Sequence, residues 1–176
     1  MQPQIIAQPL TAAAFAPFGD VLDCAGPPDR IINAGLCGRW HDRARLDMGP
    51  DGRAGISLFR SDLRRLPFVC DLLERHPLGA QAFVPISMDA FMVIVADDDA
   101  GRPGAIRAFL TAPGQGINIL RNTWHGVLTP LSGPGLFAVI DRIGPGTNLH
   151  EYRLATPVTV VGQGAGQGAG QGLTPP

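Results

Sequence analysis

The stretch Glu74-Arg75-His76-Pro77-Leu78-Gly79-Ala80-Gln81-Ala82-Phe83-Val84-Pro85 decides how this 176-residue chain is read. It holds an acid, two bases and an amide, and then runs into an apolar strand. On a strand, alternate residues share a face, so Glu74 and His76 point the same way. Gln81 stands at an odd offset and needs a turn at Pro77-Leu78-Gly79 to reach that face. A second polar cluster, Arg121-Asn122-Thr123-Trp124-His125, lies further on and is also followed by apolar sequence. The expectation is that the two stretches face each other inside one small barrel, with the rest of the chain as its walls.

Working outward, the neighbouring sequence reads as strands. Ala90 to Ala96 is a short run rich in β-branched and aromatic residues, which favours a strand buried on both faces. Gly55 to Arg60 alternates, with Ile56, Leu58 and Arg60 on one face and Ser57 and Phe59 on the other. Ile106 to Leu110, Gln115 to Leu120, Gly126 to Leu131 and Leu136 to Ile140 follow as further short strands. Asp97 to Gly104 is an acidic hairpin turn, because it lacks the alternating ligand spacing of a calcium loop. Gln4 to Pro9 reads as a short edge strand and Thr11 to Phe15 as one helical turn capped by Thr11. Ile31 to Leu36 reads as a strand broken at Gly35. Tyr152 to Val161 reads as a last strand, which Pro157 assigns to a sheet edge. With 23 glycines and 17 prolines punctuating short apolar runs, the fold class is all-β, a sandwich or barrel.

One domain over residues 1–161 is long enough to bury a core. The Gly/Gln repeats of 162–176 are low-complexity, and a flexible tail is expected there. A net charge of −1 offers no basic excess for nucleic acid or for an anionic membrane surface. Cys24, Cys37 and Cys70 are widely spaced and odd in number, which disfavours a disulfide framework or structural zinc and fits a reducing compartment. The first ten residues lack the pattern of a secretory signal, and no apolar run is long enough to cross a bilayer. A cytoplasmic location is the expectation.

Two imidazoles (His76 and His125), a carboxylate (Glu74) and an amide (Gln81) converging in a barrel suit a divalent metal or acid–base chemistry. His41-Asp42 is a weaker candidate, since adjacent strand residues point to opposite faces. Trp124 reads as a wall residue and Asp141-Arg142 as an ion pair at a strand end.

The spacing resembles the cupin pattern. Glu74-x-His76 occupies the usual His-x-His pair, and Gln81 falls where the following glutamate would be. Gly114 stands at the expected offset before His125, while Leu120 and Asn122 replace the usual proline and glycine. The resemblance implies a cupin-like double-stranded β-helix, or jelly-roll, barrel with a short N-terminal helix. The set Glu74, His76, Gln81 and His125 would then hold nickel, manganese or zinc, with no organic cofactor.

At family level, Glu74 to Pro85, Val93 to Ala96, Arg107 to Phe109, Gln115 to Asn118, Asn122 to His125 and Phe137 to Arg142 resemble ureidoglycolate lyases. Asn33-Ala34-Gly35 and Trp40-His41-Asp42 fit as well. The resemblance runs from the Phe15 to Val21 region to about Glu151, and the tail has no counterpart. One departure is Gly126, where family members often carry a second histidine. The resemblance implies a homodimer that splits (S)-ureidoglycolate into glyoxylate and urea in allantoin breakdown. It implies His76 and His125 as base and acid, in protonation states both accessible near neutral pH, with Glu74 assisting. Gln81 and Asn118 would hydrogen-bond the urea, and Arg60, Arg75 or Arg142 would grip the carboxylate. A non-catalytic cupin sensor for a small carboxylic acid and an amidohydrolase releasing ammonia are the alternatives.

Overall fold

A computed structural model describes residues 2–163; the expected tail lies outside the described residues from 164 onward. In chain order the elements are β1 (Gln4–Ile6), β2 (Gln8–Pro9), α1 (Ala12–Phe15), β3 (Gly19–Leu22), β4 (Arg30–Ile32), β5 (Cys37–Arg39), β6 (Arg53–Arg60) and β7 (Phe68–Arg75). They continue as β8 (Gln81–Pro85), β9 (Phe91–Asp99), β10 (Arg102–Leu110), β11 (Gly116–Ile119), β12 (Trp124–His125), β13 (Thr129–Pro130), β14 (Leu136–Ile143) and β15 (His150–Val161). The expected all-β class and short N-terminal helix are both present, and the Thr11 hydroxyl caps α1 by accepting from the Ala14 N–H at 3.2 Å.

Two sheets face each other. One has the order β1-β15-β7-β12-β9-β10-β2, with β13 also on β9; the other runs β3-β11-β8-β14-β6. The larger sheet curls until β1 and β15 meet β10, giving a nearly closed, cupin-like barrel. Two cores result. Phe83, Phe91, Val93, Val95, Ile117, Phe137 and Val139 fill the space between the sheets, with Phe15 and Phe18 closing one end. Leu73, Met92, Ile94, Trp124 and Val160 fill the space enclosed by the curl. Alternate residues of β9 feed the two cores, so its apolar run is continuous rather than alternating.

Several strand readings change in detail. The expected strand Gly126 to Leu131 is reduced to Thr129–Pro130, and the expected turn Asp97 to Gly104 is mostly strand, with β9 running to Asp99 and β10 starting at Arg102. Gln4 to Pro9 is two strands separated at Ala7, each pairing in parallel with a different partner, β15 and β10. Ile31 to Leu36 is not one broken strand but the first arm and tip of the β4–β5 hairpin, turned by Asn33, Ala34 and Gly35 at positive φ. β15 lies between β1 and β7 only at its end, where β1 pairs with Thr159 to Val161; Pro157 falls before that overlap, where the register with β7 shifts between Arg153 and Val158, so it is paired on neither side. A bulge tolerates the missing N–H as well as an edge does.

Candidate active site between the two sheets

The β7–β12–β9 ladder sets the site. His125 is in register with Glu74 on one side and with Val95 on the other. Val95 is an inter-sheet core residue, so Glu74 and His125 point into the same space. Leaving β7, the chain places His76 with its ring centroid 5.2 Å from that of His125, the planes tilted by 39°. Pro77 and Leu78 then turn the chain, and Gln81 opens β8. Gln81 lies opposite Ile119, and its neighbour on the same face, Phe83, lies opposite Ile117; both isoleucines are core residues, so Gln81 points inward. The turn required by the odd offset is therefore present.

Hydrogen bonds orient the two imidazoles. The Nδ1 of His76 is 2.6 Å from the carbonyl of Asn148, and the Nδ1 of His125 is 3.1 Å from the carbonyl of Gly126. A carbonyl only accepts, so each Nδ1 carries the proton and each Nε2 is the other nitrogen. Both Nε2 atoms are buried without a hydrogen-bond partner among the described residues. Burial, with the nearby His76, pushes His125 down to about 4. Its imidazole is thus neutral at pH 7, and the expectation that its charged form is accessible near neutrality does not hold. Burial raises the Glu74 carboxyl above its ordinary value.

The donor set fits a divalent ion. Glu74, His76 and His125 each offer a ligand atom, and these atoms lie within 4.8 Å of one another. An imidazole whose second nitrogen donates to a carbonyl is in the arrangement usual for a metal-bound histidine.

Asp141 is the site residue that sequence reasoning assigned elsewhere. Val139 pairs with Phe83 and Ile140 with Ala82, so Asp141 continues the inward series Phe137, Val139. The Gln81 amide approaches its carboxyl, and its Oδ1 is buried and unpaired. Burial raises this carboxyl too, against the opposing pull of His76 and Gln81. Asp141 and Arg142 are no ion pair, because neighbours on a strand face opposite ways. The signal was available in the alternation of Phe137, Val139 and Asp141, an acid continuing a core face.

The other candidates lie elsewhere. Arg142 donates to the carbonyls of Met48 and Pro145, at 2.9 and 2.8 Å. Its stem leaves no room for a Cβ at Gly52 or Gly79. Arg75 lies 4.4 Å from the Trp124 ring centroid and bonds Asp98 at 2.9 Å, on the face opposite Glu74. Trp124 also donates to Asp98, so this cluster ties β7, β9 and β12 together. Arg60 shares the exposed outer face of β6 with Ile56 and Leu58. Asn118 is fully buried, but it lies between the inward residues Ile117 and Ile119 and bonds Asp20 and the Arg45 carbonyl instead. His41 is exposed and bonds Arg39. At Gly126 an added Cβ would lie 3.1 Å from Ile94, on the side of the second core, so a side chain there would point away from His125's face.

A sequence model of the ureidoglycolate lyase family matches residues 2–161, the whole of both sheets. The chain belongs to the ureidoglycolate lyase family. A ureidoglycolate lyase of Rhodobacter capsulatus is 64% identical over 159 residues, covering 90% of this chain and 99% of that protein. A ureidoglycolate lyase of Chelativorans sp. is 47% identical over 158 residues, covering 89% and 96%. Ureidoglycolate lyase 2 of Rhizobium meliloti is 47% identical over 154 residues, covering 87% and 94%. The matched region of the family thus contains Glu74, His76, Gln81, His125 and Asp141.

Proposed function

We propose that this protein cleaves (S)-ureidoglycolate to glyoxylate and urea, a carbon–nitrogen lyase step of allantoin (purine) catabolism. The observation that carries the reading is the pair of inward Nε2 atoms, buried and unpaired beside Glu74, in a member of this family. The substrate carbon bears a hydroxyl, a ureido nitrogen and a carboxylate. Cleavage moves the hydroxyl proton to the departing nitrogen while the C–O bond becomes a carbonyl and the C–N bond breaks. No electrons are gained or lost, and one side-chain base can take the proton and return it. An unprotonated Nε2 is such a base. Glu74, 3.9 Å from the His125 Nδ1, balances the charge that His125 acquires on taking the proton. The enclosed setting strengthens that interaction relative to water.

A divalent ion such as nickel, manganese or zinc, held by Glu74, His76 and His125 with Gln81 alongside, would supply positive charge for the substrate hydroxyl and carboxylate. Ligation and proton transfer compete for the same nitrogens. Turnover before and after chelation, read against metal content, separates the two uses.

We also propose a homodimer. Ile56 and Leu58 on the outer face of β6 are 77% and 70% exposed, and their partners on β14 are Ile140 and Ala138. Such a contiguous apolar face favours a self-association surface. Three free cysteines support placement in the reducing cytoplasm. No helix among the described residues is long and apolar enough to cross a membrane.

The assay supplies (S)-ureidoglycolate and measures urea and ammonia separately. Urea without ammonia supports the lyase. Ammonia would point to an amidohydrolase, and tight binding of a small acid without turnover to a sensor.

A further inference from the structure

Among the described residues Asp141 forms no ion pair with an arginine, although the nearby His76 pulls on its carboxyl. The guanidinium next to it in sequence is turned to the other face and committed to two carbonyls. Its Oδ1 is nevertheless buried, and so is the Oε1 of Gln81 from the adjoining strand; neither oxygen has a hydrogen-bond partner among the described residues. These two oxygens come from the smaller sheet. Glu74 and His125 come from the larger one, and His76 lies on the link between them. The site therefore has two unlike sides. The side carrying Gln81 and Asp141 presents acceptor oxygens, with the Gln81 amide N–H groups as the donor beside them.

A ligand that satisfies such a side must bring N–H donors and an acceptor. The carboxylate and hydroxyl of a 2-hydroxy acid bring too few donors and add negative charge next to Asp141. A ureido group brings three N–H bonds and one carbonyl oxygen, with no net charge. We propose that Asp141 is a specificity-determining residue: together with the Gln81 Oε1, its Oδ1 accepts hydrogen bonds from the ureido N–H groups. The hydroxy-acid end then faces His76, His125 and Glu74. The assignment rests on the lyase reading for the identity of the ligand. It orients the substrate with its ureido group toward the smaller sheet and its scissile carbon toward the imidazoles.

Calorimetric binding of two unreactive probes tests this on the intact chain. N-carbamoylglycine carries the ureido end without the hydroxyl, and glycolate carries the hydroxy acid without the ureido end. In D141N, N-carbamoylglycine should bind at least tenfold more weakly while glycolate binding stays within twofold. Dimethylation of the terminal nitrogen of N-carbamoylglycine should weaken binding to the unaltered protein, and that penalty should shrink in D141N. Unchanged binding of N-carbamoylglycine by D141N would overturn the assignment. So would an equal loss of both probes, which would make Asp141 a group that holds the barrel together. These are binding measurements, so a chain that fails to split ureidoglycolate yet binds N-carbamoylglycine through Asp141 would sink the lyase reading and leave this one standing.

Discussion

His125 and Glu74 are partners across the β12–β7 ladder, with the imidazole Nδ1 3.9 Å from the carboxylate Oε1. The pair is fixed by backbone register rather than by a strong ion pair, since His125 is neutral at pH 7. A one-residue slip of β7 would turn Glu74 out of the site, and one of β12 would turn His125 out.

Burial of His125 makes stability depend on pH in a defined direction. Its folded pKa of about 4 lies below the ordinary histidine value of 6.5. Between those two values the unfolded chain binds the proton more readily than the folded one, so the His125 contribution falls as pH drops through this window. The raised carboxyls of Glu74 and Asp141 act in the opposite sense. The quantity to measure is therefore a difference in denaturant midpoint between wild type and His125→Gln from pH 7 to pH 4.5. Wild type should lose more stability on acidification than the variant; parallel curves would contradict a buried neutral imidazole.

Gly79→Ala should destabilise the protein by about 1–3 kcal/mol, as overpacking of a tight site does. The added Cβ would come within 2.6 Å of the Arg142 Cβ, which cannot swing away as a flexible chain end would. Thermal denaturation reads this directly, and an unchanged midpoint would show that Arg142 is not locked as described.

Arg75→Met separates anchoring from substrate grip. The guanidinium spans Trp124 and Asp98, so its loss should lower the melting temperature. KM for ureidoglycolate should stay within about threefold, because losing a charge-assisted hydrogen bond to substrate costs a larger factor. A tenfold rise in KM with unchanged stability would restore Arg75 as the carboxylate clamp.

Ile56→Glu together with Leu58→Lys should convert a dimer to a monomer, as measured by light scattering coupled to size exclusion. Both side chains are mostly exposed, so a single chain loses little by the change. A wild type that is monomeric at micromolar concentration, or a double variant that stays dimeric, would reject the outer face of β6 as the interface.

The sequence made much of this legible through period and spacing. The buried run Phe91 to Ala96, the turn after His76 and the cap at Thr11 are local signals, and each stands where it was expected. What remained hidden depended on partners distant in sequence. Arg142 looked free to reach a ligand because the carbonyl of Met48 comes from a remote segment. Asn118 looked available because Asp20 and Arg45 are brought to it only by the fold. Pro157 suggested an edge for the whole strand, whereas β1 covers its last residues, from Thr159 to Val161. The acidic residue completing the site was passed over because its basic neighbour made an ion pair the simpler reading.

The most direct test is the product stoichiometry of (S)-ureidoglycolate turnover, measured side by side for wild type and His125→Asn. One urea per glyoxylate is expected, without ammonia. The rate in the folded variant should be lower by about 10²–10⁴, the range for loss of a proton-transfer group. Ammonia as the product, or a folded His125→Asn protein that keeps the wild-type rate, would contradict this mechanism.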